Sequence, residues 1–374
     1  MAESFSLADH IFNAQSIADL AHEYAAALPG FDPAAFQSTV LAGFEERGFL
    51  ERLEWIADCL TPYLADDFPR MADQLEATMV PELDPTRTDD DFGRFIHAVP
   101  GVLAVRHGLA AHPDRALDLL YRATKRFSME FYIRPFLNHW PEQTYARLQL
   151  WVRDDNYHVR RLVSEGTRPK LPWAKKVTLP PEKTLPLLTA LHGDTTRYVT
   201  RSVANHLNDI AKTAPDLVVK TLSDWRDTDQ QDPKELGWMT RHALRTLVKQ
   251  GHGGALALLG YAPDAPVRLR SLQLKSATVA AGKAVEFDLT LTAEKRCPVI
   301  VDYQIVFQRH GGKTSAKVFK LKQTVVPADK PLLLSKRHVL KADATTFRLY
   351  PGAHEVIVQV NGKEMGRASF ALTV

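Results

Sequence analysis

Cysteine is nearly missing from this sequence: Cys59 and Cys297 are the only two in 374 residues, and they lie far apart. Two distant cysteines can build neither a disulfide framework nor a cysteine-rich metal site, and they suit a reducing compartment. No run of about 18 apolar residues occurs, so no spanning helix is expected. The N-terminus, Met1 to His10, carries acids where a secretory signal needs a basic start and an apolar core. The expectation is a cytoplasmic protein. Also missing are a glycine-rich phosphate loop, a Gly-x-Ser-x-Gly elbow, a His-Glu-x-x-His pair and a Cys-x-x-Cys pair. Most cofactor- and metal-based enzyme classes lose their usual signature with them, and no cofactor or metal is expected.

Lysine is absent from residues 1–120, which hold 7 arginines against 21 acids, a net charge of −14. Residues 121–270 carry +9 and residues 271–374 carry +8, within a total of only +3. So polarised a chain suits a polyanion bound to one part of the molecule. The plainer alternative is a solvated surface that is merely lopsided.

What is present is a repeat. Arg161, Arg201 and Arg241 recur at a period of 40, as do Val159, Val199 and Met239 two residues earlier, and Asp154 with Asp194. An acidic or polar start followed by hydrophobic-x-Arg on the second helix of a two-helix unit is the pattern of HEAT-type α-solenoids. The in-phase arginines should then line one concave surface as a ladder.

Along the chain, apolar spacing predicts three amphipathic helices between Ser6 and Leu60, with Asp32 capping a helix that opens at Pro33. Further helices are expected near 68–79 and 92–109. The run Asp89 to Asp91 between them could ligate a metal, but the favoured reading is capping of the helix that follows. Glu130 stands one turn before Arg134, which suggests an intrahelical ion pair. Beyond Pro266 the period becomes two, and seven strands are expected: 267–274, 284–292, 299–308, 317–324, 332–340, 355–360 and 367–374, with Asn361-Gly362 as a hairpin turn. The expected fold is thus an all-α solenoid of HEAT-like repeats over 1–263, followed by an all-β immunoglobulin-like sandwich over 264–374.

The candidates left for chemistry are carboxylates. Glu130, Glu165 and Asp209 each accompany a basic or polar helix, and clustered carboxylates beside a sugar can stabilise an oxocarbenium-like transition state and orient water. Against this stands simple charge balance, since acids neighbour arginines in any such repeat. Trp173, beside Pro172 and near Lys175 and Lys176, reads as a surface aromatic able to stack on a base or sugar. His158, His206 and His242 could touch phosphate or serve only in packing.

Several long motifs resemble the AlkC branch of bacterial DNA alkylation-repair glycosylases. They are Asp89-Asp-Asp-Phe-Gly, Thr124-Lys-Arg-Phe-Ser-Met-Glu-Phe, the run from Asn156 to Pro169, Pro172-Trp and the run from Arg197 to Asp209. The resemblance covers essentially the whole chain, and it implies HEAT-like repeats with an added immunoglobulin-like domain. It further implies a monofunctional N-glycosylase that excises cationic N3-methyladenine from duplex DNA without ordinary base flipping. On the matching motifs, Glu130, Glu165, Asp209 and Trp173 take catalytic or lesion-contacting roles. The expected DNA contacts are Arg160, Arg161, Arg168, Lys175, Lys176, Arg197, Arg201, His206, Arg241 and Arg245. Double-stranded DNA containing alkylated bases is the expected partner, with no protein partner or membrane and a monomeric state. A non-enzymatic HEAT scaffold binding nucleic acid or protein would explain the repeats and charge equally well, but not Glu165 and Trp173 beside the arginines.

Overall fold

Residues 6–89, 91–342 and 347–373 are described by a computed structural model. The chain changes from helix to strand between the helix Gly253–Leu258 and the strand Val267–Leu274. By internal contacts it forms two compact units, one of residues 1–210 with 225–239 and the other of residues 211–224 with 240–374.

The first unit opens with four helices where the spacing suggests three: Leu7–Ile11, Ala14–Ala25, Pro33–Ala42 and Phe49–Leu60. The extra break is local chemistry. Asn13 accepts from the Ser16 amide at 3.0 Å while the Ser16 hydroxyl accepts from the Asn13 amide at 3.0 Å, a reciprocal cap that starts a new helix. Asp32 caps as expected, accepting from the amides of Ala34 and Ala35 at 3.0 Å each, with Pro33 at the first helical position.

The helix expected near 68–79 is Phe68–Ala77, whereas the one expected over 92–109 is a composite. A 3-10 turn at Phe95–Ala98 leads into an α-turn at Val99–Leu103 and a π-turn at Ala104–Gly108. Its N-cap is Arg94, not Asp89 or Asp91. Asp90 lies outside the described residues, and Asp89 pairs with Arg201 instead. Among the described residues no group of three or more metal-ligating side chains occurs.

The repeats are helix pairs, Pro141–Trp151 with Tyr157–Gly166, Pro181–Leu191 with Arg197–Ile210, and Pro215–Arg226 with Pro233–Ala243. The first helix of each pair begins on proline, whose missing N–H costs nothing there. The first two pairs keep the period of 40, so Arg161 and Arg201 are each the fifth residue of their helix. The third pair does not, because its second helix starts at Pro233. Arg241 thereby falls in the last turn of its helix rather than at the fifth position.

Among the described residues the second unit forms eight strands: β1 (Val267–Leu274), β2 (Thr278–Ala280), β3 (Ala284–Ala293), β4 (Cys297–Gln308), β5 (Thr314–Val326), β6 (Leu332–Val339), β7 (Gly352–Val360) and β8 (Lys363–Thr373). They make a three-stranded sheet in the order β1-β3-β6 and a five-stranded sheet in the order β2-β8-β7-β4-β5. All seven expected strands are present, and short β2, pairing parallel to β8, is the addition. The β3 burial pattern alternates strictly, and Val285, Phe287, Leu289 and Leu291 enter a shared core with Val299, Val301, Ile305, Val356 and Val358. At the β7–β8 hairpin Asn361 (φ 48°) and Gly362 (φ 76°) are both left-handed, as a two-residue primed turn requires. The turn is also anchored: Asn361 accepts from the Ile300 amide at 2.9 Å and donates to the Ala262 carbonyl at 2.8 Å.

Candidate active site

The site is built on three helices of the first unit. The helix Tyr157–Gly166, capped by the Asn156 side chain on the His158 amide at 2.9 Å, packs against Arg197–Ile210 and Glu130–His139. Both second-repeat helices are strongly amphipathic, but their buried faces are not purely apolar. Ser164, Glu165, Ser202, His206, Asn208 and Asp209 are all buried there beside Val159, Leu162, Val203 and Leu207.

These polar residues form a continuous chain of alternating sign. Glu130 Oε2 accepts from Arg161 Nη1 at 3.3 Å, which also donates to the Ser128 hydroxyl at 2.7 Å. The other Arg161 nitrogen lies 3.9 Å from Glu165 Oε2. Glu165 Oε1 meets Arg168 Nη1 at 2.5 Å, and Arg168 reaches Asp209 Oδ2 through Nε at 3.0 Å and Nη2 at 2.9 Å. The Ser202 hydroxyl lies 2.6 Å from Glu165 Oε2 and 2.9 Å from the Ser164 hydroxyl. The three expected acids therefore meet, with two guanidiniums between them. One face of Arg161 is covered by the Tyr198 ring, 4.4 Å from ring centre to guanidinium carbon.

Burial alone would push the Glu165 carboxyl up, but Arg161 and Arg168, with hydrogen bonds from Ser202 and Arg168, outweigh it and hold it below the ordinary range. Burial likewise works against the charge of Arg161 and Arg168, and the acids around each more than restore it. Glu165 is thus a fixed negative charge at the centre of the cluster. It can stabilise a developing cation and orient a nucleophile, and it is ill suited to donate a proton. His206 is 0% exposed, holds its Nδ1 3.0 Å from the Ser164 carbonyl, and is pushed down to about 4 by burial. Although expected at DNA, it is a neutral packing residue behind the acids.

The expected ladder of arginines resolves into ion pairs. Arg160 binds Asp194 at 2.5 Å, Arg197 binds Glu235, and Arg201 binds Asp89 on the acidic loop whose Thr88 carbonyl also accepts from the Tyr198 amide at 3.1 Å. Arg161 and Arg168 belong to the buried chain, and Arg245 donates to the His242 carbonyl. The intrahelical pair of Glu130 with Arg134 does not form either; each side chain turns to a different partner. Exposed among the expected basic contacts are Lys175, Lys176 and Arg241.

Trp173 is 69% exposed and has a left-handed backbone, φ 63°. It lies on the loop that leaves the helix directly after Glu165. Its ring sits 6.0 Å from that of Phe49, above a groove lined by Leu53, Val102, Phe131 and Pro135. Sequence reasoning missed Ser164, Ser202 and Tyr198. A polar residue one position before Glu165, and another at core spacing in the following repeat, were the available signal.

Residues 268–374 match the family described as "Uncharacterised protein YhaZ, C-terminal Ig-like domain". The uncharacterized protein YhaZ of Bacillus subtilis (strain 168) is 32% identical over 361 residues, 94% of this chain and 96% of the relative. The structure is similar to that of the alkylpurine DNA glycosylase AlkC from Pseudomonas fluorescens bound to DNA containing an abasic site analog. That likeness has a TM-score of 0.86 and 33% identity, and it covers 99% of this chain and 100% of that one. With helices, sandwich and both relatives matched over nearly the full length, the chain belongs to the AlkC family, to which its motifs point.

Proposed function

We propose that this protein is a DNA N-glycosylase that excises cationic alkylated bases, chiefly N3-methyladenine, from duplex DNA. Two things support the reading: the full-length likeness to an alkylpurine DNA glycosylase solved on an abasic-site analog, and the chain Glu130, Arg161, Glu165, Arg168, Asp209. The second is the observation that carries it. Five ionisable side chains gathered in a largely buried cluster cost stability, and catalysis is a reason to keep them.

The chemistry follows from the charges. A purine alkylated at N3 is already a cation and leaves as a neutral base, so no general acid is needed. As its bond to C1′ lengthens, the bonding pair goes to the base and the sugar becomes an oxocarbenium ion. Glu130, Glu165 and Asp209 supply negative charge to that ion, and one of them orients the attacking water and takes up its proton. The two arginines keep Glu165 ionised and hold all three carboxylates in place. No lysine belongs to the cluster, so no amine stands ready to form the Schiff base of a lyase, and the product is an intact strand with an abasic site. Trp173 presses against the nucleotide, while Lys175, Lys176 and Arg241 contact phosphate, and the sandwich grips the duplex as a separate domain from about residue 264. A bend in the duplex exposes the lesion in place of a deep base pocket.

Incubation of the protein with methylated duplex DNA should release free N3-methyladenine and leave alkali-labile, otherwise unbroken strands. Absence of base release under single-turnover conditions would refute the reading; strand cleavage without alkali would refute its monofunctional part.

A further inference from the structure

The helix Glu130–His139 presents a second polar side chain to the site region that the chemistry above does not use. Arg134 is 0% exposed, yet no carboxylate pairs with it among the described residues. A buried guanidinium is tolerated only where its donors are satisfied. Here main-chain carbonyls satisfy two of its three nitrogens: Nη1 donates to Gly166 at 2.9 Å and to Arg168 at 2.8 Å, and Nε donates to Lys175, while buried Nη2 has no hydrogen-bond partner among the described residues. One turn later Asn138 Nδ2 donates to the Lys176 carbonyl at 2.9 Å. Pro135, between them, lines the groove beneath Trp173.

The carbonyls belong to the two ends of one loop. Gly166 and Arg168 lie where the chain leaves the catalytic helix, and Lys175 and Lys176 lie where it turns toward the next repeat. Between the two ends is Trp173, exposed and left-handed at φ 63°. A bulky L residue holds that conformation only where its surroundings over-determine it. The fork of Arg134 does so by bridging both ends of the loop, which the single ammonium of a lysine cannot reproduce.

We propose that Arg134 is a positioning residue: it clamps the 166–176 loop shut so that the Trp173 ring is presented to the nucleotide in one place. The structural part, the clamp, stands alone; the catalytic part rests on the glycosylase reading. A misplacement on the order of 1 Å at a reacting nucleotide can cost up to about a hundredfold in rate.

The test uses the full-length chain with Arg134→Lys, Arg134→Met and Asn138→Ala, each alone and combined with Trp173→Ala. Two quantities are followed: the rate of tryptic cleavage after Lys170, Lys175 and Lys176 in the folded protein, and single-turnover excision from methylated duplex DNA. Both Arg134 variants should be cleaved faster in this loop and lose roughly tenfold to a hundredfold in excision, with little further loss once Trp173 is alanine. Asn138→Ala, at an exposed position, should move the same way by a smaller factor. Arg134→Lys with normal loop protection and normal excision would overturn the proposal, because it would leave only charge to matter. Additive losses from Arg134→Met and Trp173→Ala would overturn it as well. If neither Arg134 variant folds, Asn138→Ala decides, and unchanged loop cleavage there refutes the clamp. Should the wild-type protein release no base at all, the glycosylase reading fails while cleavage of the loop still decides the clamp.

Discussion

The β-sandwich and the helix pair Tyr157–Gly166 with Arg197–Ile210 solve burial in opposite ways. In the sandwich the shared core is almost wholly apolar, from Val285 and Phe287 to Val356 and Phe370, and the positive charge stays outside. In the helix pair Glu165, Asp209, Ser164, Ser202 and His206 are inside, and the charges face one another. Apolar burial yields roughly 25 cal/mol per Å² and needs no partner, whereas every buried charge must find one. A region built for stability alone would resemble the sandwich. The helix pair departs from that pattern at the positions the proposed reaction would need.

The sharpest way to break the comparison is to open the apolar core. Leu289→Ala, in the middle of β3, should lower unfolding stability by about 2–5 kcal/mol in chemical denaturation. Excision by the folded fraction at saturating DNA should stay unchanged, since nothing in that core reaches a substrate. A fall in the chemical step would show that the sandwich does more than hold DNA.

Acid should separate the regions next. Burial pushes His158 and His206 down to about 4 from 6.5, so their contribution is complete above pH 6.5 and is lost as the pH falls from there toward 4, by up to about 3 kcal/mol each. In the sandwich, burial raises Asp302 to about 6, against Lys320 and Lys249, and this contribution has the other sign: present below 3.8 and lost as the pH rises through about 6. His338, held low by burial, offsets it there. All six tryptophans lie at or before Trp238, in the first compact unit, so their fluorescence reports the helices alone. Melts followed by tryptophan should drop steeply between pH 7 and 5, and His206→Gln should flatten the drop; equal pH dependence of tryptophan and calorimetric transitions would contradict the assignment.

The smallest expected effect concerns DNA affinity. Lys175→Ala and Lys176→Ala should each reduce the slope of log K against log salt by up to about one unit, the value for one phosphate contact. Arg201→Ala should change it less, because Arg201 is already paired with Asp89. A full unit lost at Arg201 would mean that DNA displaces the acidic loop.

Much of this was legible in the sequence, and the misses share a cause. Period and punctuation located the Asp32 cap, seven strands and the Asn361-Gly362 turn because each depends on neighbours in the chain. The meeting of Glu130, Glu165 and Asp209 came from a family resemblance; spacing alone left them open to charge balance. What spacing could not tell was which acid an arginine would choose. Arg201 pairs across 112 positions with Asp89, and Arg134 turns from nearby Glu130 to carbonyls of a distant loop. Partner choice is set by packing of the helices against one another, and the early start of the third-repeat helix at Pro233 put Arg241 in the last turn of its helix with no change in the motif.

The central claim is that the buried chain of acids and arginines performs the chemistry, and it is tested most directly at Glu165. Single-turnover excision of N3-methyladenine and affinity for lesion-containing duplex should be measured together on Glu165→Gln, with its melting temperature as control. The claim predicts excision lower by roughly tenfold to a thousandfold with DNA binding retained or slightly tighter, since charge that acts mainly in the transition state adds little to substrate binding. Wild-type excision by the folded variant, with only the melting temperature reduced, would contradict it and leave Glu165 as a structural ion-pair residue.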